Sequence, residues 1–189
     1  MTRQEVIKAA RKLYAVPGYA QTTVGEIAHE ARVSPATVYA QCGGKEGLLR
    51  TLMDIWTTSP TVGRIITDAA AANTGRSKLE TLAVGYAAHA AEAGDIMRIV
   101  ERAAPSSPAA QEFLDVADVR HIEALETIVE GIADIGDLAD EVSVQDAARI
   151  IFFHFRNPQF VLAVETFEWG VDRATQWLVD RVAAAILKG

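Results

Sequence analysis

Ser34, Ala36, Thr37 and Tyr39 are the residues whose types and spacing point most directly at a chemistry. Ser34 is a good helix N-cap, and Pro35 falls at the first helical position, where its missing N–H and fixed φ cost nothing. A helix therefore starts at Pro35. Val33 and Val38 stand at the two hydrophobic-staple positions that fix the entry angle, which leaves Ser34, Ala36, Thr37 and Tyr39 on the outer surface. Side chains that small let a helix enter a groove of duplex DNA. Catalytic constellations are missing. The chain has no nucleophile elbow, no phosphate-cradling glycine loop and no paired carboxylates in a plausible cleft, and Cys42 has no obvious histidine partner. His121 and Glu123 lie only two residues apart on a helical pattern and so diverge, with no further His or Cys at ligand spacing. Neither an enzyme nor a metal site nor any other cofactor is expected.

The outer face at Ser34 needs elements that hold it. Thr23 can cap a preceding short helix with Glu26 three residues on, a capping box, while Val24, Ile27, Ala28 and Ala31 give that helix one buried face. Together the two helices read as a helix-turn-helix. A first helix from about Arg3 to Val16 turns Val6, Ile7, Ala10, Leu13 and Tyr14 inward and is expected to stop at Pro17-Gly18.

Taken in order, Ala10, Tyr14, Gly18-Tyr19, Thr22-Thr23-Val24, Ile27-Ala28, Val33-Ser34, Thr37-Val38-Tyr39, Lys45-Glu46 and Leu48-Leu49 carry a resemblance. The segment from Val6 to Leu49 resembles the N-terminal DNA-binding domain of the TetR family of bacterial transcriptional regulators, over about a quarter of the chain. The resemblance implies that Thr23, Ser34, Ala36, Thr37, Tyr39, Gln41 and Lys45 touch DNA phosphates or base edges. Two positions depart from the family pattern. Arg32 stands where the family usually has a glycine suited to positive φ, so its backbone is strained or the turn differs; its side chain is either a solvated surface arginine or an added phosphate contact. Cys42 replaces a common phenylalanine and is followed by Gly43-Gly44, which implies lighter packing and a more mobile joint behind the reading helix.

At 189 residues and 50% hydrophobic content the chain can bury a real core. One cysteine excludes an intramolecular disulfide framework, the charged start MTRQEVIKAARKL is unlike a signal peptide, and no apolar run approaches a membrane span. A cytoplasmic location is expected. The net charge of −7 argues at first against nucleic acid, yet its distribution is uneven. Residues 1–50 carry seven Lys/Arg against four acids, a net +3, and the remainder carries −10. A basic end on an acidic body orients approach to DNA, although an acidic surface is also an ordinary solubility device.

The rest of the chain is helical in pattern, so the fold class is all-α: a three-helix helix-turn-helix DNA-binding domain over residues 1–50 and a helical ligand-binding and dimerisation domain over 51–189. A fourth helix over Lys45 to Thr58 would continue past Pro60 to Ala72 and link the two domains. Further helices are expected over Ser77 to Ala93, from Gly94-Asp95 to Ala104, and from the Pro105–Pro108 loop to about Ala133. The last of these places Leu114, Ala117, His121, Leu125, Ile128 and Ile132 on one face. After an acidic connection over Gly131 to Asp140, a helix from Ser143 becomes apolar all round at Ile150 to Phe153 until Arg156-Asn157-Pro158 breaks it. The last helix, about Val171 to Leu187, is expected to bury Ala174, Trp177, Leu178, Val182, Ala185 and Ile186.

These final two helices are the candidate homodimer interface, with a monomer core as the alternative; in the resembling family the last helices of two subunits form a four-helix bundle. The resemblance also implies a small-molecule effector in the helical body. Tyr86 with His89, Met97 with Glu101, and His121 are the candidate ligand contacts, each weighed against an ordinary core role. The expected partners are therefore double-stranded DNA, a second copy of the chain and a partly apolar effector. A same-fold DNA-binding or protein-interaction module without a ligand is the alternative.

Overall fold

The computed structural model describes residues 3–189, so Met1 and Thr2, which open the expected first domain, lie outside the described residues. Among the described residues ten α-helices follow one another: α1 Arg3–Leu13, α2 Val24–Glu30, α3 Pro35–Cys42, α4 Gly44–Thr57, α5 Pro60–Ala71, α6 Gly75–Ala103, α7 Pro108–Asp134, α8 Val144–Phe155, α9 Asn157–Val161 and α10 Val171–Ile186. Among the described residues there is no strand, only an isolated antiparallel bridge between Leu138 and Leu187. The all-α expectation holds.

Two compact units divide these helices: residues 3–59 with 93–117, and residues 60–92 with 118–189. In the first, α1 to α4 close on Val6, Ala10, Tyr14, Ile27, Val38, Leu48, Leu49 and Leu52, and Ile96, Ile99 and Val100 of α6 join the same core. The second has its own core, built on Ile65, Leu79, Leu82, Leu125, Ile128, Ile151, Leu178, Val182 and Ile186, with α8 packed on α10. Burial of this kind, rather than helix propensity, supplies most of the stability of such helices.

Several expected boundaries are corrected. Pro17 does not stop the first helix, because the chain continues through a π-helical turn, Tyr14–Gly18, and ends at Gly18 with φ 99°. The wider turn accommodates a ring that would strike a carbonyl in an α-helix. The fourth helix does not continue to Ala72; the chain breaks at Thr58-Ser59 and α5 starts afresh at Pro60. Gly94-Asp95 opens no new helix either. α6 runs unbroken for 29 residues, since Ala93 and Ile96 are buried and the Asp95 carboxylate accepts two hydrogen bonds from Arg11, at 2.6 and 2.5 Å. Burial alone would raise the Asp95 pKa, but the hydrogen bonds and charge of Arg11 hold it below the usual carboxylate range. The break expected at Arg156-Asn157-Pro158 ends α8 at Phe155, and beyond it the chain forms α9 and a second π-helical turn, Leu162–Thr166. On α10, Trp177 and Ala185 are exposed instead of buried, and so is Phe153 of the apolar stretch in α8.

Candidate nucleic-acid interface

The helix-turn-helix is built as its local signals require. The Thr23 hydroxyl accepts from the Glu26 N–H at 3.2 Å while the Glu26 carboxylate accepts from the Thr23 N–H at 2.7 Å and its hydroxyl at 2.8 Å, a complete capping box. Those bonds, led by the backbone one, hold the Glu26 carboxyl below its ordinary pKa. Ser34 caps α3 by accepting from the Thr37 N–H at 3.1 Å, and the Ser34 and Thr37 hydroxyls share a further hydrogen bond of 2.9 Å. Val38 is fully buried beneath, so Ala36, Tyr39 and Gln41 face outward, with Thr37 half-buried beside them.

The turn between α2 and α3 holds Arg32 at φ 55°, so the strained alternative for this residue is the one the backbone adopts. Behind the reading helix, Gly43 and Gly44 both take positive φ, 69° and 72°, and a side chain at Gly44 would lie 2.8 Å from the Tyr39 ring. Tyr39 therefore approaches Gly44 closely and still remains 60% exposed. Cys42 is buried, and its small side chain is accompanied by a close backbone approach, a Cβ at Gly47 falling 1.9 Å from the Cys42 carbonyl oxygen. Burial pushes the Cys42 thiol pKa up, which keeps it protonated. Lys45 begins α4 with its ammonium 4.7 Å above the Tyr19 ring and 3.4 Å from the Ala20 carbonyl. Tyr14, fully buried, donates to the Lys45 carbonyl at 3.0 Å and so ties the π-helical turn after α1 to this end of α4. All seven residues named from the resemblance, Thr23, Ser34, Ala36, Thr37, Tyr39, Gln41 and Lys45, thus fall within or beside one small three-helix assembly.

Residues 6–52 match the family described as bacterial regulatory proteins, tetR family. The N-terminal domain belongs to the TetR family. Its segment is 43% identical over 47 residues to the HTH-type transcriptional regulator HbdR of Aromatoleum sp. (strain CIB), a match that covers 25% of this chain and 20% of that regulator's length. Beyond the TetR domain the likeness is one of fold. NalD of Pseudomonas aeruginosa, the secondary repressor of the MexAB-OprM multidrug efflux pump, superposes with a TM-score of 0.78 at 16% identity, over 98% of this chain and 95% of that one. The transcriptional regulator FadR of Bacillus subtilis, solved in complex with stearoyl-CoA, gives 0.75 at 18% identity, over 96% and 98%.

Of the candidate ligand contacts, the structure brings two together. Tyr86 of α6 and His121 of α7 meet through Oη and Nε2 at 2.5 Å, with their rings edge to face. Phe155 packs on Tyr86 and Phe152 on His121, while Arg156 lies 4.9 Å above the Phe152 ring and 3.4 Å from the Asp118 carboxylate. Burial first, then the Arg156 charge, pushes the His121 pKa down to about 4, and burial raises that of Tyr86. With a neutral imidazole and a protonated phenol the bond has two forms: Tyr86 donates to a bare Nε2, or the other tautomer donates its Nε2–H to the Tyr86 oxygen. His89 is buried on α6 with its pKa lowered by that burial, whereas Met97 and Glu101 lie on the part of α6 that belongs to the other unit, so the five do not form one constellation. A groove of about 410 Å³ between α5 and α6, lined by Arg64, Ile65, Asp68, Glu80 and Val84 among others, contains none of them. Asp118 and Arg156, which surround His121, were missed by the sequence reading. The spacing of Asp118 from His121, one helical turn, was visible; the pairing with Arg156 was not.

Proposed function

We propose that this chain is a homodimeric, ligand-responsive transcriptional regulator, acting as a repressor, that reads a palindromic operator through α3. The observation that carries this reading is the doubly capped TetR-type helix pair, with Ala36 and Tyr39 exposed one turn apart on α3 and Gln41 exposed further along it. In a symmetric pair, two such helices lie about 34 Å apart and enter successive major-groove turns on one DNA face. Exposed apolar side chains on the last helices support the pairing: Phe153 is 62% and Trp177 44% exposed, and Val171 is exposed as well, which leaves apolar surface on α8 and α10 for a second copy to cover. The basic TetR segment opposed to an acidic remainder supports an oriented approach to phosphates.

A small effector is supported by the half-buried Tyr86–His121 pair, a polar point within an aromatic surround of the kind that orients a partly apolar ligand. The similarly folded Bacillus subtilis regulator was solved in complex with stearoyl-CoA, a partly apolar molecule. Such a ligand releases DNA only by preferring a conformation with the wrong spacing of reading helices. No helix among the described residues is long and apolar enough to cross a membrane, and a cytoplasmic site of action is part of the proposal.

Selection of bound sequences from random duplexes by the purified protein tests the reading. A recovered palindrome supports both symmetry and partner; the absence of any preference, from a protein that remains a single subunit, defeats it. A second reading keeps the fold and omits the effector, and a thermal-shift screen separates the two, because a ligand bound only by the folded state raises Tm with its saturation.

A further inference from the structure

Arg32 combines three observations that the proposed reading does not use. Its backbone sits at φ 55°, a conformation glycine adopts freely and an arginine adopts only at a cost, and outliers of this kind gather where a side chain is needed for function. It lies in the turn, two residues before Ser34, the cap of the reading helix. And no hydrogen bond or ion pair among the described residues holds its guanidinium, whose charge acts on Glu30 only weakly and from a distance. The other six cations of the domain have partners: Lys8 with Glu5, Arg11 with Asp95, Lys12 with Glu30, Arg50 with Glu46, Arg3 with the Thr51 hydroxyl, and Lys45 with the Tyr19 ring and the Ala20 carbonyl. Glu30, the acid nearest Arg32 in sequence, is already bound by Lys12 at 2.6 Å. The exposed guanidinium of Arg32 is left with no hydrogen bond or ion pair among the described residues.

We infer that Arg32 is a DNA phosphate contact, an addition to the seven positions implied by the family resemblance. This rests on the DNA-binding reading. A planar guanidinium offers paired donors to phosphate oxygens, and a cation with no internal partner loses none on binding. Placed beside the start of α3, it would fix the register of the reading helix without itself reading sequence.

Affinity for a random-sequence duplex several helical turns long, measured across a salt series by fluorescence anisotropy, tests this with wild type, Arg32→Gly and Arg32→Lys. Gly suits the observed φ, so the glycine variant folds with a Tm no lower than wild type. It should bind more weakly, with a salt slope flatter by about 0.9, so that the affinity lost between 50 and 200 mM salt shrinks about 3.5-fold per subunit contact. The lysine variant should recover the wild-type slope. A glycine variant with wild-type affinity and slope overturns the inference and leaves DNA binding standing. A wild type with no measurable duplex affinity overturns the DNA-binding reading itself, and the assignment of Arg32 with it.

Discussion

Acidification should destabilise the unit that contains His121 before its carboxylates titrate. The folded-state pKa of His121 is about 4 against an ordinary 6.5, so between those values the unfolded chain takes up a proton that the folded chain refuses. The sign follows directly. Above about pH 6.5 both states are neutral and nothing is lost; as pH falls the unfolded state gains, and the loss is complete below about pH 4. At 1.36 kcal/mol per pH unit the ceiling is about 3 kcal/mol, most of it gone by about pH 4.5. That is a large part of the 5–15 kcal/mol typical of a folded domain.

Urea unfolding of wild type and His121→Gln, followed by circular dichroism at steps from about pH 7.5 to 4.5 and at one protein concentration, isolates the effect. Glutamine retains an acceptor for Tyr86 but does not titrate. Asp118, Arg156 and His89 remain in both proteins, so their contributions cancel to first order. The advantage of wild type over the variant should therefore shrink by about 2 to 3 kcal/mol across the range. A difference that stays constant with pH would refute the argument, because it would mean that His121 takes up protons equally in both states.

Further outcomes follow from the same geometry. Tyr86→Phe leaves the half-buried His121 Nε2 without its hydrogen-bond partner and should cost about 1–3 kcal/mol in unfolding free energy at neutral pH. Gly47→Ala forces a methyl group towards the Cys42 carbonyl and should destabilise by at least about 1–3 kcal/mol and weaken DNA binding together, measured by Tm and duplex affinity. Lys45→Ala should weaken binding across sequences and flatten the salt slope by about 1, whereas Thr37→Ala should change base preference in a selection experiment. Trp177→Glu should shift a dimer to monomer in sedimentation at micromolar concentration, by placing a charge on the exposed apolar face.

The reading helix was legible because its signals are local. A capping box, a serine cap followed by proline and a staple pair each act within a few residues, and all appear at the expected places. Where the sequence misled, a distant partner overruled a local breaker. Gly94-Asp95 looks like a helix boundary until Arg11, 84 residues away, is seen to hold Asp95. Tyr86 and His121 were recognisable as polar-tipped residues in apolar stretches, but their meeting depends on how α6 and α7 pack, which no spacing reports. Met97 and Glu101 have ligand-like types and a shared helix face; their assignment to the other unit follows from α6 passing unbroken through both. Trp177 was assigned to the core from its apolar character, yet the buried face of α10 is filled by Ala174, Leu178, Val179, Val182 and Ile186.

The internal hydrogen bonds of the reading helix also constrain how it could discriminate DNA. Thr23 is committed to Glu26, and the Ser34 and Thr37 hydroxyls are committed to each other, with Ser34 also accepting from the Thr37 N–H. A hydroxyl has one hydrogen and two lone pairs, so the shared bond leaves the pair with one hydrogen to donate. If Thr37 donates to Ser34, Ser34 keeps a hydrogen for a phosphate oxygen while Thr37 keeps lone pairs for a base amino group; the reverse arrangement exchanges these roles. Polar discrimination from this turn is thus limited to one donor, and the remaining readout falls to groups without such commitments. Ala36 suits the methyl group of thymine, and the exposed amide of Gln41 can pair with adenine through two hydrogen bonds. A site read this way combines a small apolar contact with one bidentate contact per half, and the phosphate contacts of Lys45 and Arg32 would set its register rather than its sequence.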